Sequence, residues 1–246
     1  MNSQYDDIAA TYQQTKESPL RKYLESWSFF KMLGLLKGLR VLDLACGEGF
    51  YTRQIKSLGA SEVIGVDVSS EMIRLAKQQE LNQPLGIKYF CNDVSKLPDF
   101  GKFDLISAAY LLHYSRNIDQ LNVMCRKIAG AMQNSGRFVA INENPYQLTH
   151  QYAGYSQYGF NKITDQPRHE GSPIKYSMIS GQNLIQFEAY YYSKKTYESA
   201  LQDAGFSNIK WIPLELSPKG LEEYGTDYWQ EYIDNPPVIG LTCELN

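Results

Sequence analysis

The sequence predicts an α/β fold, in which a mostly parallel β-sheet carries helices on both of its faces. Three observations support this prediction. Apolar runs alternate with amphipathic helical periods as far as residue 142, which is typical of a parallel sheet. The apolar run at residues 41–45 breaks into a Gly-x-Gly turn, Gly47 to Gly49. A second apolar run, at residues 63–67, ends on an acid, and this order is a β-α-β unit whose turn a ligand can approach.

The elements of this first part follow one another at regular intervals. Strands are predicted where apolar or alternating runs occur, at residues 40–45, 63–68, 87–91, 103–108 and 137–142. Helices are predicted between them, at residues 51–58, 70–80 and 118–133. On the third helix, apolar side chains recur at spacings of three and four: Ile118, Leu121, Cys125, Ile128 and Met132. The sequence Asn134-Ser135-Gly136 supplies a helix stop before the next strand.

The last hundred residues follow a different pattern. From residue 146 to about residue 186 the alternation stops, and polar, tyrosine-rich sequence takes its place. Further strands are predicted at 187–192, 209–216 and 238–245, and a helix at 195–204. The sheet is therefore expected to resume after an insertion following its fifth strand. An insertion of roughly forty residues is too long for an ordinary connection, which favours a lid or substrate cover at residues 146–186 within a single domain spanning 1–246.

Composition excludes several classes of partner. A net charge of −3 and a pI near 5.7 argue against a nucleic-acid partner, whose phosphates call for a basic face. No apolar run is long enough to span a bilayer, and the first residues lack the pattern of a signal peptide. The four cysteines have no C-x-x-C spacing, so neither a zinc site nor a disulfide framework is predicted. We expect a cytoplasmic protein, either a monomer or a homodimer, without a membrane partner.

The glycine turn favours a cofactor without phosphates. A dinucleotide fingerprint would continue to a third Gly or Ala, but this chain has Thr52 there, with Phe50 and Tyr51 crowding the turn. Acids end three successive predicted strands: Asp43, Asp67 and Asp93. Asp67 lies about twenty residues past the turn, where a carboxylate accepts hydrogen bonds from ribose hydroxyls. Asp93 or its neighbouring backbone could accept from an adenine amine.

These residues carry a resemblance to a known family. Residues 41–50 resemble the first motif of class I S-adenosylmethionine-dependent methyltransferases, and Asp67, Asp93 and residues 107–110 occupy the positions of their next three motifs. The resemblance implies a Rossmann-like sheet of seven strands whose last strand, 238–245, is antiparallel. It also implies that the cofactor is S-adenosylmethionine, that the product is S-adenosylhomocysteine, and that no metal is needed.

A narrower resemblance suggests the substrate class. Residues 5–12, 42–52 and 235–240 are similar to toxoflavin-type methyltransferases, which methylate ring nitrogens of a small heterocycle. The implied reaction is N-methylation of a small, planar heterocyclic or amine-bearing metabolite, of the kind found in secondary metabolism. The alternatives are an O-methyltransferase of a small molecule, a dinucleotide-dependent oxidoreductase, and a non-catalytic protein that binds a nucleoside cofactor.

The family also implies roles for single residues of the cofactor site. The residues expected to line it are Tyr12, Asp43, Ala45, Gly47, Gly49, Asp67, Val68, Met72, Asp93, Val94 and Ala108. Val68 and Met72 would sandwich the adenine, and Ala108 would face the methionine portion through its backbone. Tyr12 would close over the methionine end from an N-terminal helical lid at residues 1–36. Met72 could equally be a core residue, and Tyr12 an ordinary aromatic of an amphipathic helix.

The acceptor side is predicted from position and composition. If the acceptor must lose a proton, His113 is the best-placed general base and Glu143, just past the fifth strand, is the next. An amine or ring nitrogen with a free lone pair needs no base, and a structural role for His113 is also open. Tyrosines with flat apolar faces and polar tips would form the acceptor pocket: Tyr110, Tyr114, Tyr152, Tyr155 and Tyr191. Tyrosines on a half-exposed sheet or loop can, however, exist without any ligand.

Overall fold

The computed structural model describes residues 3–6, 9, 18–152, 154–180 and 183–245. The strands are β1 (Arg40–Leu44), β2 (Glu62–Asp67), β3 (Lys88–Cys91), β4 (Phe103–Ala109), β5 (Met132–Glu143), β6 (Phe160–Thr164), β7 (Pro173–Ser180), β8 (Asn183–Tyr190), β9 (Phe206–Ile212) and β10 (Val238–Leu245). A π-helical turn, Arg21–Glu25, leads into the first of the six α-helices that the structure describes from residue 18 onward. These are α1 (Ser26–Leu33), α2 (Phe50–Ser57), α3 (Ser70–Asn82), α4 (Ile118–Ala131), α5 (Lys194–Asp203) and α6 (Pro218–Asp234).

Seven strands form one sheet in the order β3-β2-β1-β4-β5-β10-β9. The five strands from β3 to β5 pair in parallel, and β10 pairs antiparallel with both β5 and β9. This arrangement confirms the predicted Rossmann-like α/β fold with a mostly parallel seven-stranded sheet. It also confirms residues 238–245 as the antiparallel strand. The order reverses at β1 and β4, so both strands present their carboxyl ends at the crevice where ligands of such sheets bind.

Helices cover the sheet on both faces, as predicted. One face packs against α4 and α5 through apolar side chains such as Leu121, Ile128 and Leu201. The other face packs against α1, α2, α3 and α6, with Phe29 and Trp229 fully buried. Since Phe29 belongs to α1, the helical part of the predicted N-terminal lid is a core layer. Among the described residues of that segment, only 3–6 lie across the ligand crevice.

Several element boundaries differ from the predictions for identifiable reasons. Helix α4 ends at Ala131, since β5 begins at Met132, which pairs with Phe103. The predicted helix stop therefore lies inside the irregular start of β5. Ile118 is 42% exposed instead of buried, because it begins α4 one turn before the packed residues. Helix α6 was not predicted; its glycines and tyrosines hide the apolar period, and a backbone break at Gly225 interrupts it.

The insertion forms a second, three-stranded antiparallel sheet from β6, β7 and β8. Residues 187–190, predicted to rejoin the main sheet, belong instead to β8. The inner face of this small sheet is buried and includes Phe160, Lys162 and Phe187. On the opposite face Ile163 is 65% exposed. In β6 a lysine points inward and an isoleucine points outward, which reverses the usual polarity of a strand. Strand prediction from hydrophobic alternation therefore missed β6.

No helix in the described part of the chain is both long enough and apolar enough to cross a membrane.

Candidate functional site

A cavity of about 480 Å³ opens at the carboxyl ends of β1 to β4. Its volume falls within the range of roughly 300–1,000 Å³ that is usual for ligand pockets. Ten of the predicted site residues line it: Asp43, Ala45, Gly47, Asp67, Val68, Met72, Asp93, Val94, Tyr110 and Tyr114. Two residues of β8, Glu188 and Tyr190, and the N-terminal segment complete its wall, whereas none of the described residues within 146–186, the predicted cover, lines it.

The glycine turn after β1 shapes the floor of the cavity. Gly47 and Gly49 have left-handed backbones, with φ of +56° and +88°, and Gly49 begins α2. The Gly47 N–H donates to Asp67 Oδ2 at 2.8 Å. At Gly49 an added Cβ would overlap the Tyr89 hydroxyl. Gly49 is not among the described residues that line the cavity; it lets the turn pack against Tyr89 of β3.

Asp67, at the end of β2, is held in place by two backbone amides. Its Oδ2 accepts from the Gly47 N–H and its Oδ1 accepts from the Ser69 N–H, each at 2.8 Å. These two amides orient the Asp67 carboxylate, which borders the cavity. Next to it, Val68 is an apolar side chain left 50% exposed at the cavity. The Asp67 carboxylate is thus an oriented hydrogen-bond acceptor beside the apolar surface of Val68.

Met72 lies both in the core and at the border of the cavity. It lines the cavity, and it is also 2% exposed in a cluster with Ile185 and Phe187 of β8. Met72 is therefore a core residue of the contact between α3 and the small sheet. Because the same side chain borders the cavity, the inner face of the small sheet lies directly beside the ligand crevice.

The other two strand-end acids are engaged within the chain. Asp93 caps a short 3₁₀ turn, its Oδ1 accepting from the Ser95 N–H at 2.8 Å. Asp43 is buried, and its carboxylate accepts from Ser107 Oγ at 2.7 Å and from Thr52 Oγ1 at 2.6 Å. Thr52, which stands where a dinucleotide fingerprint would have its third small residue, thus ties α2 to β1. Asp43 borders the cavity, but its carboxylate ties β1 to α2 and β4.

Ala108 is not among the described residues that line the cavity. It is fully buried in β4, paired with Leu44 on one side and Ala140 on the other, and its neighbour Ala109 lines the cavity instead. Successive strand residues point to opposite faces, so a one-residue offset exchanges core and cavity. Tyr110 follows with a left-handed φ of +69°, which turns the chain out of the sheet. Burial holds the pKa of the Tyr110 hydroxyl well above its ordinary value.

The structure buries His113, the first predicted base, away from the cavity lining. The side chain is 2% exposed, and it is not among the described residues that line the cavity. Its Nδ1 lies 2.8 Å from Asn142 Oδ1 and 3.3 Å from the backbone nitrogen of Glu143. Burial lowers the pKa of His113, which favours the neutral ring. These contacts fit the structural alternative, a histidine that fastens the turn after β4 to the end of β5.

Glu143, the second predicted base, is also buried and engaged within the fold. Its carboxylate forms an ion pair with Lys162 Nζ and accepts a hydrogen bond from the Tyr176 hydroxyl. The side chains of Lys162 and Glu143 are 0% and 2% exposed, and the ammonium lies 4.2 Å from the ring centre of Tyr152. A carboxylate held in this way is not available to take a proton from an acceptor. It fastens the end of β5 to β6 and β7 of the small sheet.

Only part of the predicted tyrosine set faces the cavity. Tyr110 and Tyr114 do. Tyr152 accepts a hydrogen bond from Arg168, Tyr155 donates to the Asn235 carbonyl at 2.6 Å, and the Tyr191 ring lies 3.6 Å below the Arg168 guanidinium. These three pack the small sheet, and they do not occur among the described lining residues. Sequence reasoning missed three tyrosines that do line the cavity: Tyr5, Tyr51 and Tyr190. Tyr12 lies outside the described residues.

Residues 3–6, which we name the N-terminal strap, lie across the cavity. Gln4 exchanges two hydrogen bonds with the backbone of Glu188 in β8, at 2.9 and 3.0 Å. Asp6 accepts from Ser69 Oγ at 2.6 Å, where α3 begins. Hydrogen bonds to this carboxylate keep the pKa of Asp6 below its usual value although burial opposes them. The strap thus connects α3 with the small sheet.

Two further findings limit the chemistry of the site. Among the residues that the structure describes, no group of three His, Cys, Asp or Glu side chains could hold a metal ion. The three strand-end carboxylates around the cavity, Asp43, Asp67 and Asp93, all accept hydrogen bonds from the chain itself.

Comparison with known proteins identifies the domain. Residues 41–136 match the family model of a methyltransferase domain. The chain is 26% identical over 171 residues to N-demethylindolmycin N-methyltransferase of Streptomyces griseus, covering 69% of this chain and 70% of that protein. It is 33% identical over 131 residues to a ubiquinone biosynthesis O-methyltransferase of Coxiella burnetii. That match covers 52% of this chain, which spans only 54% of the length of the Coxiella protein.

Solved structures share the fold over nearly the whole chain. The CcbJ methyltransferase of Streptomyces caelestis superposes with a TM-score of 0.70 at 17% identity, covering 99% of this chain and 98% of that one. An S-adenosylmethionine-dependent methyltransferase of Clostridium acetobutylicum superposes with a TM-score of 0.65 at 21% identity, covering 99% of this chain and 100% of that one. Residues 41–136 therefore carry a methyltransferase domain, and nearly the whole chain shares the fold of the solved methyltransferases.

Proposed function

We propose that this chain is an S-adenosylmethionine-dependent methyltransferase that acts on a nitrogen atom of a small, planar heterocyclic or amine-bearing metabolite. One observation carries the proposal: a cavity lined by an oriented acid and by tyrosines, with both candidate bases buried and engaged elsewhere. The cytoplasmic location, the monomeric or homodimeric state and the place in secondary metabolism remain predictions.

The residues at the cavity floor fit the cofactor. Asp67 would accept hydrogen bonds from the ribose hydroxyls, since the Gly47 and Ser69 amides already orient its carboxylate. Val68 and Met72 would contact the adenine, and Asp93 with Val94 would meet its edge. Gly47 leaves room for a ligand close to the backbone. When bound, S-adenosylmethionine supplies a methyl group on a positively charged sulfur, which needs no further activation.

We infer the chemical class of the methyl acceptor from whether the reaction requires a general base. An in-line displacement requires the acceptor lone pair to be aligned with the methyl group, and positioning alone supplies several kcal/mol of the barrier. A hydroxyl acceptor also has to lose a proton, which calls for a base near the reacting atom. His113 and Glu143 are both tied into the fold. A neutral amine or ring nitrogen, whose lone pair is free, suits such a site best.

The segments that cover the cavity favour a small molecule as the methyl acceptor. The N-terminal strap and the inner face of the small sheet both border the crevice, and Tyr5, Tyr114 and Tyr190 give it aromatic walls. Flat rings with polar tips suit planar or cationic molecules. In this proposal the N-terminal strap and β8 would cover the acceptor and exclude water from the reacting atoms.

The similarity to the Coxiella enzyme favours O-methylation as a second candidate.

The test is production of S-adenosylhomocysteine with two matched panels, amines and N-heterocycles in one and phenols and alcohols in the other. Turnover confined to nitrogen acceptors, with a methyl group located on nitrogen by NMR, is the expected result. Turnover confined to hydroxyl acceptors would replace the proposal by the O-methyltransferase.

Asp67→Ala is expected to weaken binding of S-adenosylmethionine at least about tenfold, since two charge-assisted hydrogen bonds to ribose would be lost. Calorimetric titration measures the change. Asp203→Ala, at the exposed end of α5, changes the net charge equally and should leave the affinity unaltered. Equal affinities for Asp67→Ala and the unchanged protein would remove Asp67 from the ribose role.

A further inference from the structure

A second cavity, of about 380 Å³, lies at the opposite end of the strands from the ligand crevice. It is bounded by α1, by β5, β10 and β9, and by the loop that follows β9, and we name it the rear cavity. The two cavities share none of their described lining residues. Arg137 of the rear cavity pairs with Leu105 near the start of β4, whereas the crevice opens where β4 ends. The rear cavity is therefore separate from the proposed methyl-transfer site.

Three neighbouring strands each contribute a polar side chain to the rear cavity. These are Arg137 of β5, Thr242 of β10 and Lys210 of β9. Thr242 and Lys210 are directly opposite each other in the pairing of β10 with β9. Because adjacent strands lie about 4.7–4.9 Å apart, the strands that carry the two cations are separated by roughly 9–10 Å. Two cationic side chains thus line the cavity from either side of the strand that carries the threonine.

Both acids that line the rear cavity are engaged by other residues. Glu215 forms an ion pair with Lys31 of α1, at 2.5 Å. Glu244 accepts a hydrogen bond from Asn208 Nδ2 at 2.7 Å. Asn208 lies where a β-bulge interrupts the pairing of β9 with β10, and its backbone is left-handed, with a φ of +50°. Each acid therefore has a partner other than the two cations on β5 and β9.

The two cations keep hydrogen-bond donors for a ligand. Arg137 donates to the carbonyls of Leu33 and Met32, where α1 ends, at 2.7 and 3.4 Å. These bonds orient the guanidinium, which carries further N–H groups beyond the two that they use. Lys210 is exposed, and no residue in the described part of the chain forms an ion pair or a side-chain hydrogen bond with its ammonium. The rear cavity thus presents an oriented guanidinium and an ammonium, neither of them neutralised by a described acid.

We propose that the rear cavity binds a small polyanionic metabolite, with one carboxylate or phosphate group on Arg137 and a second on Lys210. The planar guanidinium forms paired, charge-assisted hydrogen bonds with the oxygens of either group. The Thr242 hydroxyl, on the strand between the two cations, would donate a further hydrogen bond. The separation of the two strands favours a ligand with two anionic groups over one with a single group. The cavity volume of about 380 Å³ lies within the usual range for small-molecule sites.

The test is calorimetric titration with three probes at constant ionic strength. Citrate and pyrophosphate each carry more than one anionic group, and acetate carries one. Each probe is titrated into the unchanged protein, Lys210→Gln and Arg137→Lys. The lysine at position 137 keeps the charge but removes the planar fork of donors. Lys195→Gln is the matched control, because Lys195 is an exposed lysine of α5 that does not line the rear cavity.

Citrate or pyrophosphate is expected to bind with one-to-one stoichiometry, at least about tenfold more tightly than acetate. Lys210→Gln should weaken that binding about tenfold and Arg137→Lys about threefold, whereas Lys195→Gln should leave it unaltered. The tighter of the two probes identifies the anionic group as carboxylate or phosphate. The inference would be overturned if neither probe bound saturably to the unchanged protein, or if Lys210→Gln bound them equally well. Lys210 is exposed, so its variant decides the test even if Arg137→Lys does not fold.

Discussion

Lys162→Met is expected to lower the free energy of unfolding by about 3–5 kcal/mol, the usual cost of removing one partner of a buried ion pair. The reason is the environment of Glu143. The two side chains are 0% and 2% exposed, so the carboxylate left behind could not reach water without opening the contact between β5 and the small sheet. Methionine fills nearly the same volume as the lysine stem, and the loss therefore reports charge instead of packing. Urea denaturation, followed by circular dichroism, measures it.

The double variant Lys162→Met/Glu143→Gln separates the two explanations. The glutamine side chain would still accept the hydrogen bond from Tyr176 but carries no charge, so most of the lost stability should return. The control is Lys175→Met on the outer face of β7, where the side chain is exposed and the expected change is within about 0.5 kcal/mol. Equal losses in the single and double variants would show that the charge on Glu143 is not the cause.

The β1-α2-β2 unit could be predicted from the sequence because all of its local sequence signals indicate the same structure. The apolar run, the glycine turn and the acid at the end of β2 predict the same structure, and the structure places Gly47 and Asp67 in direct contact. The acids Asp43 and Asp93 were found for the same reason, since carboxyl ends of parallel strands share one edge of a sheet. What the sequence could not show is that the Asp43 carboxylate is satisfied by Thr52 and Ser107.

The acceptor side was harder to predict because its contacts join distant parts of the chain. Glu143 stands where a base would be useful, but only the fold brings Lys162 against it. The tyrosines of the insertion were chosen by their density, yet Tyr152 and Tyr155 turn inward to pack the small sheet. Tyr5, in contrast, stands alone in a polar segment. It reaches the cavity only because the N-terminal strap crosses from α3 to β8, and no local periodicity encodes that path.

Gly49→Ala is expected to destabilise the protein by about 3 kcal/mol, the sum of two separate costs. A left-handed backbone with φ of +88° costs a residue with a Cβ roughly 1–2 kcal/mol. The added methyl group would also overlap the Tyr89 hydroxyl and lie 3.0 Å from Tyr89 Cζ, an overpacking that typically costs about 1–3 kcal/mol. Tyr89 cannot simply move aside, because its ring also covers Gly65, where a Cβ would be 2.7 Å from Tyr89 Cδ1.

Tyr89→Phe distinguishes the two costs. The Tyr89 hydroxyl is buried and has no hydrogen-bond partner among the described residues, so its removal alone should be neutral or slightly stabilising. In the Tyr89→Phe background, Gly49→Ala loses its closest overlap and should cost only about 1–2 kcal/mol, the backbone term. A double-mutant cycle from thermal or urea unfolding measures the difference. If Gly49→Ala costs the same in both backgrounds, the glycine is required for its backbone conformation alone. A smaller cost in the Tyr89→Phe background would show that Gly49 is also kept small by the ring packed against it.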